Sequence, residues 1–153
     1  MLFVYSIKHV LMFLVLSFLI RFLLPYSVPQ NIEGTVKVRV TNVSKKNGEV
    51  MVALFSSPTG FPYETSNAIQ RQKGTAVNGT AEVTFTNIKP GSYAIALFHD
   101  TNGDGKLNTN FMGIPKEGYG VSNNTYNTFS APGYKESSFT HNSVSELTIQ
   151  MKY

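Results

Sequence analysis

The heptapeptide TVKVRVT (residues 35–41) alternates strictly between apolar and polar side chains along its central part. In an extended chain Val36, Val38 and Val40 share one face, and the two charged residues between them point to the opposite face. A period of two is typical of a β-strand with one face on a hydrophobic core and the other in water. The segment therefore predicts a β-protein, and the residues that follow it extend this prediction.

A second strand is predicted at residues 49–55, directly after Asn47-Gly48. Asn-Gly is the strongest short signal for a two-residue hairpin, because both residues tolerate the positive φ of a type I′ turn. We therefore expect residues 35–41 and 49–55 to pair as a hairpin.

Turn residues separate further apolar segments along the rest of the chain. Predicted strands lie around residues 69–77, 81–85, 92–99, 137–140 and 145–153, and the Gly- and Asn-rich segment 100–134 is predicted as a long loop. The segment 92–99 is apolar at both parities, as expected for a central strand. About seven short strands at spacings of roughly 8–12 residues are typical of an antiparallel β-sandwich. The sequence thus predicts an all-β fold, with a single domain over residues 32–153.

The composition of the 153 residues limits the class of protein. Hydrophobic residues make up 42% of the chain and aromatic residues 12%, which is more apolar surface than a disordered chain carries. The sequence contains no cysteine. A disulfide scaffold, a cysteine-ligated metal site, a cysteine nucleophile and a bacterial lipoprotein anchor are therefore excluded.

Residues 1–27 have the pattern of a secretory signal peptide, with cleavage expected in the turn-like segment Pro25–Pro29. Lys8 precedes an unbroken apolar run, Val10–Ile20, and Arg21 follows it. A run of this length would cover about half of a bilayer core, which favours a signal peptide over an uncleaved anchor or a buried N-terminal helix. We expect a secreted or periplasmic protein that is not a lipoprotein and has no stable membrane span after leader removal.

The net charge of +4 comes from 13 basic and 9 acidic residues. Lys8 and Arg21 lie in the predicted leader, so the rest of the chain is close to neutral. Its basic residues are scattered over strand faces and turns, without the cluster that a phosphate backbone requires. We therefore expect no nucleic-acid partner, and the expected partner is a cell-envelope or extracellular ligand whose identity is unknown.

Residues 100–108, with the sequence DTNGDGKLN, carry the sharpest motif of the chain. They match the first nine positions of an EF-hand calcium loop, in which alternate oxygens converge on one point and Gly at position 6 permits a sharp turn. Candidate metal ligands are the side chains of Asp100, Asn102, Asp104 and Asn108 and the backbone carbonyl of Lys106.

Position 12 of the calcium loop is Phe111 instead of the usual bidentate Glu. A Ca²⁺ site here would therefore be weak, in the extracellular range of about 10⁻⁴–10⁻³ M, unless Glu117 folds back as the missing acid. The alternative is a metal-free turn, because Asp, Asn and Gly favour this kind of loop without an ion. Both interpretations stay open at this stage.

His99 directly precedes the calcium-like loop and invites a catalytic interpretation. A His at a strand end is more often structural, and the sequence has no nucleophile elbow, H-E-x-x-H motif or phosphate loop. A non-enzymatic protein is therefore favoured. The alternative is a small hydrolase or isomerase that uses His99, Asp100 and Glu117.

Phe111, Ile114 and Tyr119 lie in a Gly- and Pro-containing part of the long loop. We expect them to cap one end of the sandwich as a small satellite core, because long loops often pack on themselves. The alternative is an exposed contact surface for carbohydrate or peptide, formed by His99, Phe111, Glu117 and Tyr119.

The run ALFHDTNGDGKLNTNFMGIPKEGYGVSNN, residues 96–124, together with Pro90-Gly91-Ser92-Tyr93-Ala94, resembles the bacterial domain-of-unknown-function family numbered 2141. The resemblance extends over about residues 36–151 and implies an exported single-domain protein without naming an activity. Asn108 stands where family members often carry Asp, which weakens an implied metal site. The P-G-x-Y strand also looks like small transthyretin- or collagen-adhesin-type modules, so an immunoglobulin-like or transthyretin-like sandwich is expected.

Three hypotheses follow from the sequence. The first is an exported, non-enzymatic binding module that uses the 100–134 loop and carries a weak Ca²⁺ site. The second is the small hydrolase or isomerase, and the third is a structural cell-envelope module with no small ligand. A convergence of His99, Asp104 and Glu117 in one open pocket would favour the enzyme. A buried His99 beside converging loop oxygens would favour binding.

Overall fold

The computed structural model describes residues 33–127 and 130–153. The predicted leader, residues 1–27, lies outside the described residues. Within the described part of the chain, no helix is long and apolar enough to cross a membrane.

Eight strands, joined by turns and short helical segments, build the described domain. In chain order they are β1 (Gly34–Thr41), β2 (Glu49–Phe55), β3 (Gln70–Thr75), β4 (Ala81–Ile88), β5 (Gly91–Asp100), β6 (Tyr119–Val121), β7 (Phe139–His141) and β8 (Val144–Gln150). The helical segments are 3₁₀ turns at Thr65–Asn67 and Ser122–Asn124 and one α-helical turn at Tyr134–Ser137.

The strands form two sheets that enclose one main hydrophobic core. One sheet has the order β4-β1-β8, and the other has the order β3-β2-β5-β6, with β7 paired to the start of β5. The inward valines of β1 are almost fully buried, and they pack with Ile95, Leu97 and Ile149 from strands of both sheets. The predicted all-β sandwich is therefore confirmed.

Two details of the strand pairing differ from the sequence prediction. β1 and β8 run parallel, with Val38 opposite Leu147, whereas the sequence pattern predicts a wholly antiparallel sandwich. The sequence prediction missed one strand, β6, which lies inside the segment predicted as one long loop. It is too short to show a period of two, but it extends the larger sheet beside β5.

The predicted hairpin between the first two strands is wrong. β1 pairs with β4 and β8, whereas β2 pairs with β3 and β5 in the other sheet. The connection crosses between the sheets, and it carries Val43, which is 4% exposed in the core. Gly48 does not form a two-residue turn. Its backbone, with a φ of 137°, lies so close to that of Asp100 that an added Cβ would be 2.2 Å from the Asp100 carbonyl oxygen.

β5 has two buried faces, and this arrangement positions the candidate site. Its odd-numbered residues, such as Ile95 and Leu97, point into the main core. Ala96 points to the opposite face, where it packs with Ala53 of β2 and Val121 of β6 in a second cluster. β5 ends at Asp100, so the calcium-like loop begins at one end of this outer face.

Candidate functional site

Asp100 holds the start of the calcium-like loop through both of its carboxylate oxygens. Its side chain is nearly buried, with 5% exposed. Oδ1 accepts the backbone N–H of Gly103 at 2.7 Å, and Oδ2 accepts that of Gly105 at 2.8 Å. Both glycines have φ values near 75°, a conformation that glycine adopts without steric cost. Asp100 thus fixes the turn that the D-x-N-x-D-G spacing predicts.

Asn102, Asp104 and Asn108 form a cluster of side chains on the exposed side of this loop. Asp104 Oδ2 accepts the side-chain amides of Asn108 at 2.9 Å and Asn102 at 3.1 Å, and Asp104 Oδ1 accepts the backbone N–H of Lys106 at 2.9 Å. These donors hold the pKa of Asp104 below its ordinary value, and the Asn108 amide has the largest effect, followed by the Asn102 amide. The charged form of Asp104 is therefore favoured by its neighbours.

Glu117 folds back against the loop from a position 17 residues beyond Asp100 in the chain. Its carboxylate, 6% exposed, accepts the backbone N–H and hydroxyl of Thr101 on Oε1, and the backbone N–H of Asn108 on Oε2 at 3.0 Å. Three donors thus satisfy this buried acid, as the cost of burying a charge requires. Glu117 closes the base of the loop.

The oxygen-bearing residues of the loop could hold a hard cation, which takes carboxylate, amide and carbonyl oxygens. Asp100, Asn102, Asp104 and Asn108 provide side-chain oxygens, and Lys106 provides a backbone carbonyl. The Asn102 amide nitrogen bridges Asp104 Oδ2 and Asn108 Oδ1, at 3.1 and 3.0 Å. The Asn102 side-chain oxygen accepts the backbone N–H of Asp104 at 3.2 Å, so the amide presents its nitrogen to the other two side chains. Within residues 33–127 and 130–153, no group of three His, Asp or Glu side chains is arranged to hold a metal.

His99 is fully buried on the inner side of β5. Its Nδ1 lies 3.1 Å from the Tyr153 hydroxyl and 3.4 Å from Ser44 Oγ, while Nε2 has no hydrogen-bond partner among the described residues. Burial lowers the pKa of His99, and it outweighs the nearby carboxylates of Glu117 and Asp100, which raise that pKa. The ring is therefore held neutral inside the fold.

The satellite core predicted for Phe111, Ile114 and Tyr119 is wrong. Phe111 is 98% exposed and Ile114 is 54% exposed. Asn110 shapes this tip, because its side-chain oxygen accepts the backbone N–H groups of Met112 and Ile114. Tyr119 lies apart on β6. The Asn110 turn closes locally and leaves Phe111 exposed, so these side chains form no satellite core.

A large cavity lies on the outer face of the five-stranded sheet, and we call it the sheet-face cleft. Its volume is about 860 Å³, within the range of about 300–1,000 Å³ that is typical of small-ligand sites. Its floor is formed by outward residues of β2, β5 and β6, namely Met51, Ala53, Ala96, Phe98, Tyr119 and Val121. Three chain segments wall it, through Pro62 and Tyr63, through Leu107, Met112, Ile114 and Pro115, and through Tyr126 and Pro132.

The charged side chains that line the sheet-face cleft among the described residues are Arg71 of β3 and Lys106 of the loop. Neither forms an ion pair within the described part of the chain. Lys73, two residues from Arg71 on the same strand, is paired with Glu49 at 2.9 Å. The cleft therefore combines an apolar floor with unopposed positive charge.

The structure groups the residues predicted from sequence in a different way from the prediction. Asp100, Asn102, Asp104, Asn108 and Glu117 are joined by one hydrogen-bond network with their backbone neighbours. Lys106 and Tyr119 line the cleft instead, while His99 and Phe111 do not.

Sequence reasoning missed Ala53, Ala96 and Arg71 as site residues. The signal that could have found Ala96 is the apolar character of β5 at both parities, and the same signal in residues 50–55 of β2 could have found Ala53. It indicates that the outer face of the sheet also needs cover. Arg71 gave no such signal, because only the pairing of β3 with β2 places it at the cleft.

The molecule is thus a two-sheet β-sandwich with an acidic, glycine-containing loop at one end of its central strand. The chain belongs to the family described as "Uncharacterized protein conserved in bacteria (DUF2141)", whose model matches residues 38–150. This confirms the resemblance drawn from the motif. No curated protein and no solved structure matches the chain.

Proposed function

We propose that the protein is an exported, non-enzymatic binding module that holds a small ligand in the sheet-face cleft. The observation that carries the proposal is the cavity on the outer face of the five-stranded sheet, which described residues of the 100–134 loop help to wall. A well-formed apolar cavity with a few polar groups is the usual form of a ligand site. The loop contributes a wall of the site, as the sequence hypothesis of a binding loop requires.

The groups named in the enzyme hypothesis are all engaged in holding the fold. Asp100 and Glu117 use their carboxylate oxygens on backbone N–H groups, and His99 is buried on the opposite face of β5 from the cleft. A general acid or base has to reach a substrate proton within hydrogen-bond distance. This arrangement favours binding over catalysis.

Binding of Ca²⁺ at Asp100, Asn102, Asp104, Lys106 and Asn108 is a second part of the proposal. Two of these oxygens, Asp104 Oδ2 and Asn108 Oδ1, lie within hydrogen-bond distance of the same Asn102 amide nitrogen, and the charged form of Asp104 is favoured by its neighbours. Both observations support the proposal. Only two carboxylates belong to this set, so the affinity would be weak, with a dissociation constant of about 10⁻⁴–10⁻³ M. The ion would stiffen the loop that carries one wall of the cleft.

The proposed location is the periplasm or the extracellular space, where a weak Ca²⁺ site is useful because Ca²⁺ is plentiful. This part rests on the apolar leader pattern in residues 1–27. The structural cell-envelope module is the rival function, and ligand binding separates the two, because a purely structural module needs no occupied cleft.

The cleft is tested with 1-aminoanthracene, an uncharged dye whose fluorescence rises in apolar sites. We expect saturable binding to the domain, because the cleft offers a dry apolar floor. Ala96→Leu fills the floor and should abolish the signal. Thr84→Leu is the matched control, because it adds the same side chain to an exposed position on the outer face of the other sheet.

Ile114→Ser is a second cleft variant, chosen in case Ala96→Leu perturbs folding. Ile114 lines the cleft but is 54% exposed, so its replacement should weaken dye binding while the melting temperature stays unchanged. Dye binding that survives both cleft variants in folded protein would refute the proposed site.

The ion proposal is tested by calorimetric titration of the domain with Ca²⁺. We expect weak, saturable heat and a higher melting temperature at millimolar Ca²⁺, because a ligand that binds only the folded state stabilises it. Asp104→Asn should remove both effects. No heat and no thermal shift with the unaltered domain would contradict a Ca²⁺ site.

A further inference from the structure

The walls of the sheet-face cleft leave apolar side chains in contact with water. Met112 is 68% exposed, Ile114 54% and Tyr63 67%, and all three line the same cavity. Single exposed apolar residues are common on proteins, but their concentration around a concave floor is typical of a binding site. An apolar ligand would remove these side chains from water.

The floor of the cleft is apolar and includes residues of the paired strands β2 and β5. Ala53 and Ala96 lie opposite each other in register, while the next outward pair along the two strands is Met51 and Phe98. Both alanines are buried, at 3% and 7% exposure, and the cluster they belong to is partly covered by Phe61, Ala68 and Tyr134. The space of the cleft therefore lies between this covered floor and the exposed apolar walls. An extended, flexible alkyl chain suits such a space better than a hydroxyl-rich sugar, because the floor offers few polar partners.

The charged residues that line the cleft indicate that the polar end of the ligand is negatively charged. Of the described residues that line it, none is an Asp or Glu, and the two that carry a full charge are Arg71 and Lys106. Both are exposed and lack an ion-pair partner among the described residues. The guanidinium of Arg is the donor group that best matches a carboxylate, because it can form two parallel hydrogen bonds.

We propose that the sheet-face cleft binds a long-chain carboxylate as a single molecule. The alkyl chain lies against the exposed apolar wall residues Tyr63, Met112 and Ile114. The carboxylate pairs with Arg71, and Lys106 adds positive charge to the same cavity. This inference rests on the proposed binding function and specifies the chemical class of the ligand. It excludes carbohydrate and extended peptide as the principal ligands of the cleft.

The inference is tested by displacement of 1-aminoanthracene with dodecanoate, dodecanol and butanoate, each below its aggregation limit. We expect dodecanoate to bind about tenfold more tightly than dodecanol, the gain of one charge-assisted hydrogen bond. Butanoate should fail to displace the dye, because it lacks most of the alkyl surface. Raising the salt concentration should narrow the difference between dodecanoate and dodecanol.

Arg71→Gln is the decisive variant, because it removes the charge from an exposed strand position. It should weaken dodecanoate binding about tenfold and weaken dodecanol and dye binding much less, because neither of these ligands carries a charge for Arg71 to pair with. Lys73→Gln is the matched control, since it removes a charge from the same strand at a residue that does not line the cleft. Lys73→Gln should leave all three affinities unchanged.

The outcomes separate this inference from the proposed function. Dye binding with equal affinity for dodecanoate and dodecanol would overturn the carboxylate and leave the binding module intact. Failure of the dye itself to bind would refute both. Co-sedimentation with phosphatidylglycerol vesicles without displacement of the dye by dodecanoate would indicate a membrane-surface protein, and would also overturn the inference.

Discussion

Glu117 shows how a single buried acid can hold a loop of this kind. Its two oxygens accept three hydrogen bonds from Thr101 and Asn108, which belong to opposite ends of the calcium-like loop. A buried charge is stable when its lone pairs are satisfied in this way. The integrity of the loop should therefore depend on this carboxylate even without an ion.

Glu117→Gln should destabilise the domain by about 1–3 kcal/mol, because an amide N–H₂ would replace the oxygen that faces the N–H of Asn108. The measurement is the free energy of unfolding in urea. Glu82→Gln is the control: Glu82 is exposed and lies 4.0 Å from Arg39, so its change should stay within about 0.5 kcal/mol. Equal effects for the two variants would contradict this role of Glu117.

His99 should make the stability of the domain depend on pH. Burial lowers the pKa of His99 in the folded state below its ordinary value of 6.5, although Glu117 and Asp100 oppose this effect and Lys46 adds to it. Between the lowered pKa and 6.5 the unfolded chain binds a proton that the folded chain does not. The contribution of His99 is therefore complete above pH 6.5 and declines as the pH falls through that window.

The measurement is the free energy of unfolding between pH 5 and 8 for the unaltered domain and for His99→Phe. The unaltered domain should lose stability toward acid more steeply, by at most about 1.4 kcal/mol per pH unit. His141 is present in both proteins and cancels in the comparison. Parallel curves for the two proteins would show that His99 is not held neutral.

At the scale of elements, the connection between β1 and β2 depends on a close approach of two backbones. Gly48 faces the carbonyl of Asp100, at the start of the calcium-like loop, with a φ of 137°. This contact ties the crossing between the sheets to the base of the candidate site. A side chain at this position would force the two segments apart.

Gly48→Ala should therefore destabilise the domain by more than the conformational strain of a positive φ alone, which is about 1–2 kcal/mol. Gly103→Ala is the matched control, because Gly103 has a φ of 76° and a Cβ added there would meet no atom of the described residues within 4 Å. The melting temperature should fall further for Gly48→Ala than for Gly103→Ala. Equal losses would show that the contact with Asp100 is unimportant.

At the scale of the whole molecule, local patterns predicted seven of the eight described strands but not their partners. The alternation in residues 35–41 determines which face of β1 is buried, and the observed burial agrees. The Asn47-Gly48 signal failed because a turn dipeptide carries no information about which sheet the next strand joins. The parallel pairing of β1 with β8 joins the two ends of the domain, and local periodicity does not determine such a pairing.

In the candidate site, too, the local part was predictable from the sequence and the part built by distant strands was not. The D-x-N-x-D-G spacing predicted a tight turn held by its own side chains, because its hydrogen bonds are local in sequence. The sheet-face cleft was not predictable, because its floor and charge come from strands that are brought together only by the sheet order. Arg71 and Ala96 are 25 residues apart in the chain, yet both line the same cavity.

The most direct test of the binding function is an NMR titration of domain labelled at alanine methyl groups. When 1-aminoanthracene is added, the Ala53 and Ala96 methyl signals should shift together and saturate, because both residues line the cleft. The Ala81 signal should not move, because Ala81 packs in the main core between the sheets and does not line the cleft. Shifts that spare Ala53 and Ala96, or no shifts at all, would contradict ligand binding in the sheet-face cleft.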